Sequence, residues 1–513
     1  MTMALINFFA NTTRPRPILT VATIFLGAVL TTLQGRLFSA ALPDLRGQFG
    51  LDLLEAAWLG TALNGAQLVT MPIVPWLATV IGPTRVLIAP SFLLGLVTFL
   101  IPAFAHHYPV LVTLHAIAGL CLGIYLPLTI SLALRNLHPR FWLLIMGAYS
   151  LRVSTGMDAG YGTSAFLVED IGWHWVYWIT AFVGPIIAFL AWKALPLSPL
   201  DKSRLRQGDL AGMTMFCLGL VLAFIGIDSA ERLGWSDSGL AMSTLAGGSV
   251  LFCASVLRAL SKENSFPSLI AFGNRNICIC LMIACLFGVL MTPTSLLIPT
   301  FLTQMGNLKP MQTGTSTWIA FGAYLAATPL AIYLARRMEP RLLIICGLIV
   351  IALTAWQGSH ISHDWRVDQF VTILVMQSLG ESIMLTGLIA AFVTNLNPLH
   401  GVALGAYVSI ARVLMPVAAG TVMSTWLRIS GDTSRASLSN YFSAGDPWVV
   451  ERAEPGVAGI AQLLAREAHV AAHISGYHLV FWCSLLALSL AVFIRPSPPN
   501  QIAPPLLKVT SGT

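Results

Sequence analysis

Long apolar stretches separated by short polar connections run through almost the whole chain. A helix that crosses a bilayer needs about 20 mostly apolar residues, and fourteen stretches bounded by charges, proline or glycine satisfy this requirement. They lie near residues 18–42, 56–80, 85–105, 108–134, 141–168, 174–196, 209–228, 239–260, 276–303, 312–335, 342–358, 369–394, 400–427 and 474–494. The pattern predicts an all-α membrane protein with fourteen transmembrane helices joined mostly by short connections.

One connection, at 428–473, is longer and rich in charged residues. We expect either a solvated loop there or, over 457–474, a helix on the membrane surface, because apolar and polar residues alternate at helical spacing in that part. The predicted units are an N-terminal segment 1–17, a six-helix bundle 18–196, a linker with two additional helices 197–274, a second six-helix bundle 275–494 that contains the long loop, and a tail 495–513.

Lysine and arginine are distributed unequally between the two sets of connections. If the N-terminus is cytoplasmic, the inner segments carry 17 of them, and the short outer loops carry only Arg46, Arg232, Lys309 and Arg366. Cytoplasmic loops of membrane proteins carry the excess of positive residues. We therefore expect both termini in the cytoplasm, in agreement with the even number of spans.

The composition narrows the class of protein further. Apolar residues make up 56% of the chain, charged residues 10%, and the mean hydropathy is +0.78, whereas a soluble domain has about 25% charged residues. A cytosolic enzyme, a disordered protein and a nucleic-acid binder are excluded, despite the net charge of +7. The eight cysteines lie in apolar stretches and indicate neither a disulfide framework nor a metal site.

The sequence contains no GxxxxGK[ST], HExxH or GxSxG motif. ATP hydrolysis and the common intramembrane hydrolase chemistries are therefore not indicated. We expect no cofactor and no metal, and transport driven by an ion gradient or by the gradient of the substrate is the function that remains.

Five short motifs lie on or next to predicted spans. They are FSAALP at 38–43, WLGTA at 58–62, GWHWVY at 172–177, LIPTFL at 297–302 and the segment 401–412. In this order the chain resembles the major facilitator superfamily, specifically its 14-helix drug:proton antiporter branch (EmrB/QacA type). The resemblance implies two six-helix bundles plus two extra helices, and a secondary transporter in the plasma membrane, which is the inner membrane of a two-membrane bacterium.

Several charged positions of that branch are occupied differently here. Gln34 stands at the first-span aspartate, Thr79 at the aspartate of the 2–3 loop motif, and His115 at the fourth-span arginine, while the fifth-span glycine motif keeps only its first glycine. The resemblance therefore supports the fold more strongly than the mechanism. The positions that it implies for conformational gating are Arg85, Gly160 and Arg412.

Ionisable residues inside the spans indicate where the chemistry lies, because an unpaired charge at membrane depth costs a few kcal/mol or more. For proton coupling the sequence predicts Asp158, Glu381 and His115. For substrate binding it predicts Arg36, Arg152 and Gln34. Each of these residues has a static alternative, namely an interhelix ion pair, a hydrogen bond or a packed polar side chain.

The spacing of these residues predicts some of their partners. Arg152 and Asp158 are six residues apart, about 120° around a helix, so they should not pair with each other. We expect Arg36 to be the neighbour of Asp158, because the resemblance brings spans 1 and 5 together. Gln377 and Ser378 lie one turn before Glu381 and are expected to form hydrogen bonds with its carboxyl group. Apolar surroundings would favour its protonated form, as proton transfer requires.

The leading hypothesis is a proton-coupled exporter of small amphipathic compounds that works by alternating access. Because Arg36 and Arg152 are present and the first-span aspartate is absent, a preference for organic anions such as aromatic acids is also predicted. The alternatives are an importer, a substrate exchanger, and a transport-inactive membrane sensor or membrane-embedded enzyme. The expected partners are the substrate, protons and the lipid bilayer. The resemblance adds a periplasmic adaptor and an outer-membrane channel as expected partners. From the composition no nucleic-acid partner is expected.

Overall fold

The computed structural model describes residues 17–136, 142–195, 200–201, 208–262, 266–306, 308, 310–395, 401–441 and 457–496. Within these ranges there are fourteen long helices and no β-strand. The helices are α1 Pro17–Phe49, α2 Leu53–Val80, α3 Pro83–Leu100, α4 Tyr108–Asn136, α5 Trp142–Phe166, α6 Trp175–Ala194, α7 Leu210–Ala230, α8 Gly239–Ser261, α9 Arg275–Gly306, α10 Pro310–Arg337, α11 Pro340–Gly358, α12 Val367–Asn395, α13 Gly401–Tyr441 and α14 Val457–Val492. Each coincides with one predicted span, so the all-α prediction is confirmed.

Twelve of the helices, in the part of the chain that the structure describes, are long and apolar enough to cross a membrane. The other two are α2 and α5. Buried polar residues lower their apolar character: Gln67 in α2, and Arg152 and Asp158 in α5. Such residues are tolerated in a spanning helix when they face protein rather than lipid.

Helices α1–α6 share one hydrophobic core and α9–α14 share a second. The same pairing occurs in both bundles. In the first bundle α1 packs against α5, α2 against α4 and α3 against α6, and in the second α9 packs against α13, α10 against α12 and α11 against α14. Two bundles with the same internal arrangement are typical of transporters that work by rocking one half against the other.

The two bundles meet chiefly where α5 packs along α10 and where α13 packs against α2 and α4. Glycines make the first contact close: Gly162 of α5 lies against the Trp318 ring of α10, and Gly147 lies against Ile332. A side chain at either glycine would collide with its neighbour, so the absence of a Cβ sets the helix separation.

Helices α7 and α8 form an additional pair at the side of the molecule. Helix α8 packs against α7, and α7 contacts both bundles, through α2 and α13. Phe216, Leu220 and Phe224 of α7 share an apolar cluster with Leu68 of α2 and Ile410 of α13. The pair is therefore attached to both halves at once.

The connection predicted at 428–473 is largely helical. Helix α13 continues to Tyr441 and α14 already begins at Val457, whereas residues 442–456 lie outside the described residues. His473 is buried beside α9, 3.3 Å from the Thr300 hydroxyl and against the Phe301 ring. Residues 428–441 and 457–473 are thus helical, and the part of α14 around His473 packs on protein. Of the predicted terminal segments 1–17 and 495–513, residues 1–16 and 497–513 also lie outside the described residues.

Candidate functional site

Five charged side chains and one tyrosine meet between the two bundles. We call this group the central polar cluster; its members are Arg36 of α1, Arg152 and Asp158 of α5, Tyr324 of α10, Glu381 of α12 and Arg412 of α13. Electrostatic interactions connect them, from Arg36 to Asp158, from Asp158 to Glu381, from Tyr324 to both acids and to Arg152, and from Arg152 to Arg412. Each bundle contributes three of the six residues.

Arg36 joins three helices. Its Nε donates to the Met157 carbonyl of α5 at 3.2 Å, and its Nη2 donates to the Ser295 carbonyl of α9 at 3.0 Å. The guanidinium group lies 5.3 Å from the centre of the Tyr161 ring, and its Cβ and Cγ pack against Gly160. Gly160, predicted as a gating position, therefore makes room for the side chain that links α1 and α5 to the second bundle.

The Ser295 carbonyl belongs to an irregular turn of α9. The backbone forms a π-helical turn over Pro293–Leu297, a feature that occurs frequently at functional sites. Proline at the start of this turn supplies no backbone N–H. The backbone of α9 therefore departs from regular α-helix at the turn whose Ser295 carbonyl accepts from Arg36 of the first bundle.

Asp158 and Glu381 are both buried, 5% and 4% exposed. The Ser154 hydroxyl donates to Asp158 Oδ2 at 2.6 Å, and Gln377 Nε2 donates to Glu381 Oε1 at 2.8 Å. The predicted contact with Gln377 is confirmed. The predicted contact with Ser378 is wrong, because that hydroxyl faces α10 and donates to the Ala320 carbonyl at 3.0 Å.

Neither carboxyl group forms an ion pair with a described arginine or lysine. Asp158 interacts electrostatically with Arg36, the neighbour that the resemblance implied, but the two do not form a salt bridge. Arg152 and Asp158 do not pair either, as their spacing predicted. The two acids of the cluster are thus held by neutral hydrogen-bond donors alone.

Arg152 and Arg412 approach each other from opposite bundles. Arg152 is 5% exposed, and its Nε and Nη1 are buried without a hydrogen-bond partner. Arg412 donates from Nη1 to the Thr32 hydroxyl of α1 at 3.0 Å, and its Nε is also buried without a partner. Two arginines with unused donors, one from each bundle, therefore lie inside the protein, and their charges interact.

The other predicted site residues lie outside the cluster. Gln34 accepts a hydrogen bond from Thr180 of α6. His115 lies between the Leu111 carbonyl, 2.7 Å from Nδ1, and the Tyr177 hydroxyl, 3.2 Å from Nε2. Both residues are buried within the first bundle and have the surroundings of packed polar side chains.

Arg85 is exposed. Its Nη1 lies 3.4 Å from the carbonyl of Ile81 in the connection between α2 and α3. The structure thus places this predicted gating residue away from the cluster.

Tyr324, Thr32 and Ser295 were missed by the sequence analysis. Tyr324 is fully buried, and its hydroxyl lies 2.8 Å from that of Ser150. Its place in the middle of a span is a signal that could have revealed it, because tyrosine in membrane proteins favours the two interfaces. Thr32 and Ser295 contribute a hydroxyl and a backbone carbonyl, and a sequence gives no comparable signal for either.

The fold and the buried charges at the bundle interface are those of a secondary transporter. Residues 24–420 match the Major Facilitator Superfamily. The chain belongs to this superfamily. Its members move small substrates, typically with proton coupling, and the chain is a multi-pass protein of the plasma membrane.

Named relatives and solved structures agree with this assignment. The "Multidrug export protein EmrB" of Haemophilus influenzae is 22% identical over 391 residues, 72% of this chain and 71% of its own. The "Fatty acid resistance protein FarB" of Neisseria gonorrhoeae is 22% identical over 417 residues, 79% of each chain. The human organic anion transporter MFSD10 has a TM-score of 0.59 at 14% identity, with 93% of this chain and 100% of that chain covered. The proton:xylose symporter XylE gives 0.59 at 13% identity, with 94% and 96% covered. These structural likenesses concern the fold.

Proposed function

We propose that the protein is a proton-coupled exporter of small amphipathic organic anions, and that Asp158 and Glu381 bind and release the transported protons. The observation that carries the proposal is that two buried carboxyl groups, one from each bundle, meet in one cluster without ion-pair partners among the described residues. The export direction follows from the relatives, whose names describe export and resistance.

A carboxyl group that carries protons must be stable in both of its forms. A close arginine partner would hold it ionised, whereas hydroxyl and amide donors such as Ser154 and Gln377 allow either form. Asp158 and Glu381 also interact with each other. Because two negative charges repel strongly in a medium of low polarity, ionising one acid favours a proton on the other. Movement of one bundle against the other changes this repulsion, which couples proton release to the conformational change.

The charge of the cluster favours an anionic substrate. Three arginines face two acids, so the cluster keeps a positive charge even when both acids are ionised. Two names among the comparisons point the same way, since one relative is a fatty acid resistance protein and one structural neighbour is an organic anion transporter. In this proposal Arg36 and Gly160 belong to the movement rather than to the substrate, because they connect α1, α5 and α9.

The proposed orientation places both termini in the cytoplasm, as the positive residues of the inner loops predict. In a bacterium with two membranes the protein would then lie in the inner membrane. A periplasmic adaptor and an outer-membrane channel would complete the export route.

The proposal is tested with the purified protein in liposomes. Uptake of labelled benzoate, salicylate and decanoate is followed with and without an imposed pH gradient, in wild type and in Asp158→Asn and Glu381→Gln. We expect gradient-driven transport in wild type and its loss in both variants. Asp368→Asn at the exposed start of α12 and Glu169→Gln after α5 remove an acid from the same part of the chain and should transport normally.

Two results would contradict the proposal. Normal gradient-driven transport in both Asp158→Asn and Glu381→Gln would remove these residues from proton coupling. Exchange of labelled for unlabelled substrate without any dependence on pH would favour the substrate exchanger over the proton-coupled exporter.

A further inference from the structure

Arg152 and Arg412 lack the acidic partners that buried arginines usually have. Among the described residues no acid forms an ion pair with either of them, and each has buried N–H groups without an acceptor, Nε and Nη1 in Arg152 and Nε in Arg412. A buried donor that is left unpaired is costly, and more so when it carries charge. The Tyr149 ring, 5.5 Å from the Arg152 guanidinium group, and the Thr32 hydroxyl, which accepts from Arg412, offset part of this cost, but neither supplies a negative charge.

Thr32 shows how the two arginines are placed. Gly156 of α5 packs directly against Thr32 of α1, and the Thr32 hydroxyl accepts a hydrogen bond from Arg412 Nη1 at 3.0 Å. Arg152 lies four residues before Gly156, which is one turn along the same face of α5. Arg412 is thus held at the turn of α1 that packs on Gly156, Arg152 lies one turn of α5 from that contact, and the charges of the two arginines repel each other.

Arg36, the third arginine of the cluster, already has hydrogen-bond acceptors. Arg36 uses Nε and Nη2 for the carbonyls of Met157 and Ser295 and also interacts with Asp158. Gln34, the other predicted substrate-binding residue, accepts from Thr180 within the first bundle. Of the three residues that the sequence predicted for substrate binding, Arg152 alone has buried donors that are free.

We infer that Arg152 and Arg412 together bind the carboxylate of the transported compound, one guanidinium group from each bundle. The inference rests on the proposed function, since it concerns the anionic substrate of that transporter. It moves Arg412 from a gating position to the substrate site and takes Arg36 and Gln34 out of that site. A carboxylate has two oxygens that accept several N–H groups, and the planar guanidinium fork matches this geometry.

The bound anion would also act on the conformation. Without the anion, the positive charges of Arg152 and Arg412 repel each other and favour separation of α5 and α13. A carboxylate bound between the two guanidinium groups attracts both of them. Because the helices belong to different bundles, the substrate itself favours the arrangement in which the halves are close. The empty transporter should therefore close less readily than the loaded one, and a neutral analogue should not replace the acid.

Binding is measured on the full-length protein in nanodiscs of phosphatidylcholine, so that no anionic lipid headgroup competes. The probes are labelled benzoate, salicylate and decanoate, with salicylamide as the neutral competitor. We expect at least one acid to bind, salicylamide not to displace it, and Arg152→Gln and Arg412→Gln each to weaken it by about tenfold or more. Arg366→Gln, an exposed arginine that donates only to nearby carbonyls, is the matched control.

Folding is checked separately, because loss of a buried arginine can disturb the structure. The melting temperature is recorded for each variant, and Arg152→Lys and Arg412→Lys, which keep the charge without the fork, should bind with intermediate affinity. Anionic phosphatidylglycerol is then added to the nanodiscs. If its headgroup enters the same site, it should weaken the binding of the acid to the wild-type protein, and this weakening should be absent in Arg152→Gln and Arg412→Gln.

The inference is overturned if no acid binds, if salicylamide competes as well as salicylate, or if both glutamine variants bind normally. The proposed proton coupling fails by a different result. Asp158→Asn should keep acid binding while losing gradient-driven transport. An intact pH response in that variant counts against the coupling residue and leaves the arginine site standing.

Discussion

Two groups of charged side chains lie where α-helices from different parts of the chain meet, and they differ in how completely their charges are paired. At the C-terminal end of α7, Glu231 accepts from Arg428 Nε at 2.6 Å, from the Thr425 hydroxyl at 2.6 Å and from Trp235 Nε1 at 3.1 Å. One turn of α7 earlier, Asp228 accepts from Arg232 at 3.1 Å.

We call this group the α7 network; its members so far are Asp228, Glu231, Arg232, Trp235, Thr425 and Arg428. Thr61 of α2 also belongs to it, as a donor to Asp228 and an acceptor from Arg232. In the central polar cluster, by contrast, two acids and three arginines lie near one another without a salt bridge among the described residues, and Arg152 and Arg412 keep unused donors. The α7 network has one such atom, Arg232 Nε, and that guanidinium group lies over the Trp58 ring at 5.1 Å.

The difference separates two uses of charge in a membrane protein. Where every acid has its base, as in the α7 network, the charges hold α2, α7 and α13 together. Where acids and bases stay apart at membrane depth, neutral partners among the described residues offset only part of their cost, and protons and a substrate would offset the rest. The comparison therefore predicts opposite effects of matched substitutions in the two groups.

The largest contrast is expected between Glu381→Gln and Glu231→Gln. The first should reduce gradient-driven transport by about 100-fold, the scale of losing a positioned proton carrier, and leave the melting temperature nearly unchanged, because a neutral amide replaces a buried acid. The second should leave transport within about twofold of wild type. Transport in liposomes and thermal unfolding in detergent measure both effects. Equal transport losses in the two variants would end the distinction between the groups.

A second prediction concerns the close approach of α1 and α5 beside the cluster. A Cβ at Gly156 would collide with the Thr32 side chain. Gly156→Ala should therefore destabilise the protein by about 1–3 kcal/mol and weaken acid binding, since Thr32 also positions Arg412. Gly35→Ala in α1, where nothing lies within 4 Å, is the control and should be neutral. An unchanged melting temperature in Gly156→Ala would show that the helices can separate without cost.

A third prediction concerns the stability of the α7 network. Glu231→Gln should lower the melting temperature by about 1–3 °C, because a partly exposed ion pair contributes little. Arg428→Gln should give a similar loss, and the double variant should lose no more than either single variant. A strictly additive double variant would mean that Glu231 and Arg428 do not act on each other.

The smallest expected effect is the pH dependence of that contribution. The hydrogen bond from Arg428 lowers the pKa of the Glu231 carboxyl below its ordinary value. A lowered pKa in the folded state gives stability above the unfolded pKa of about 4.3, and this stability is lost as the pH falls through the folded value. The difference in melting temperature between wild type and Glu231→Gln should be present at pH 7 and decrease as the pH falls below the unfolded pKa. A difference that stays constant throughout the acid range would contradict this cause.

Several parts of the architecture could be predicted because they depend on local hydropathy. All fourteen spans have a helix at the expected place, and the buried acids and arginines were found by their depth in these spans. The extension of α13 over 428–441 was not predicted, because its mostly polar residues give no hydropathy signal, whereas over 457–474 a helix was one of the two expectations. In that part His473 packs on α9, which the hydropathy of the segment does not indicate.

The chain order also concealed which buried polar residues share a site. His115 and Gln34 have the same depth and polarity as the members of the cluster, yet they face α6 and the core of the first bundle. The face of a helix that meets a neighbour depends on the rotation of the helix and on which helix lies beside it. The sequence of one span determines neither.

The sequence by itself determined how many helices cross the membrane and how deep each charge lies, because the cost of placing a side chain in lipid depends on that residue and its close neighbours. Tertiary structure alone decided which charges meet. Arg412 reaches Thr32 across 380 residues of chain, and Arg428 reaches Glu231 across 197. Contacts of that kind arise only when whole helices pack, so the paired network and the unpaired cluster became distinguishable only in the folded protein.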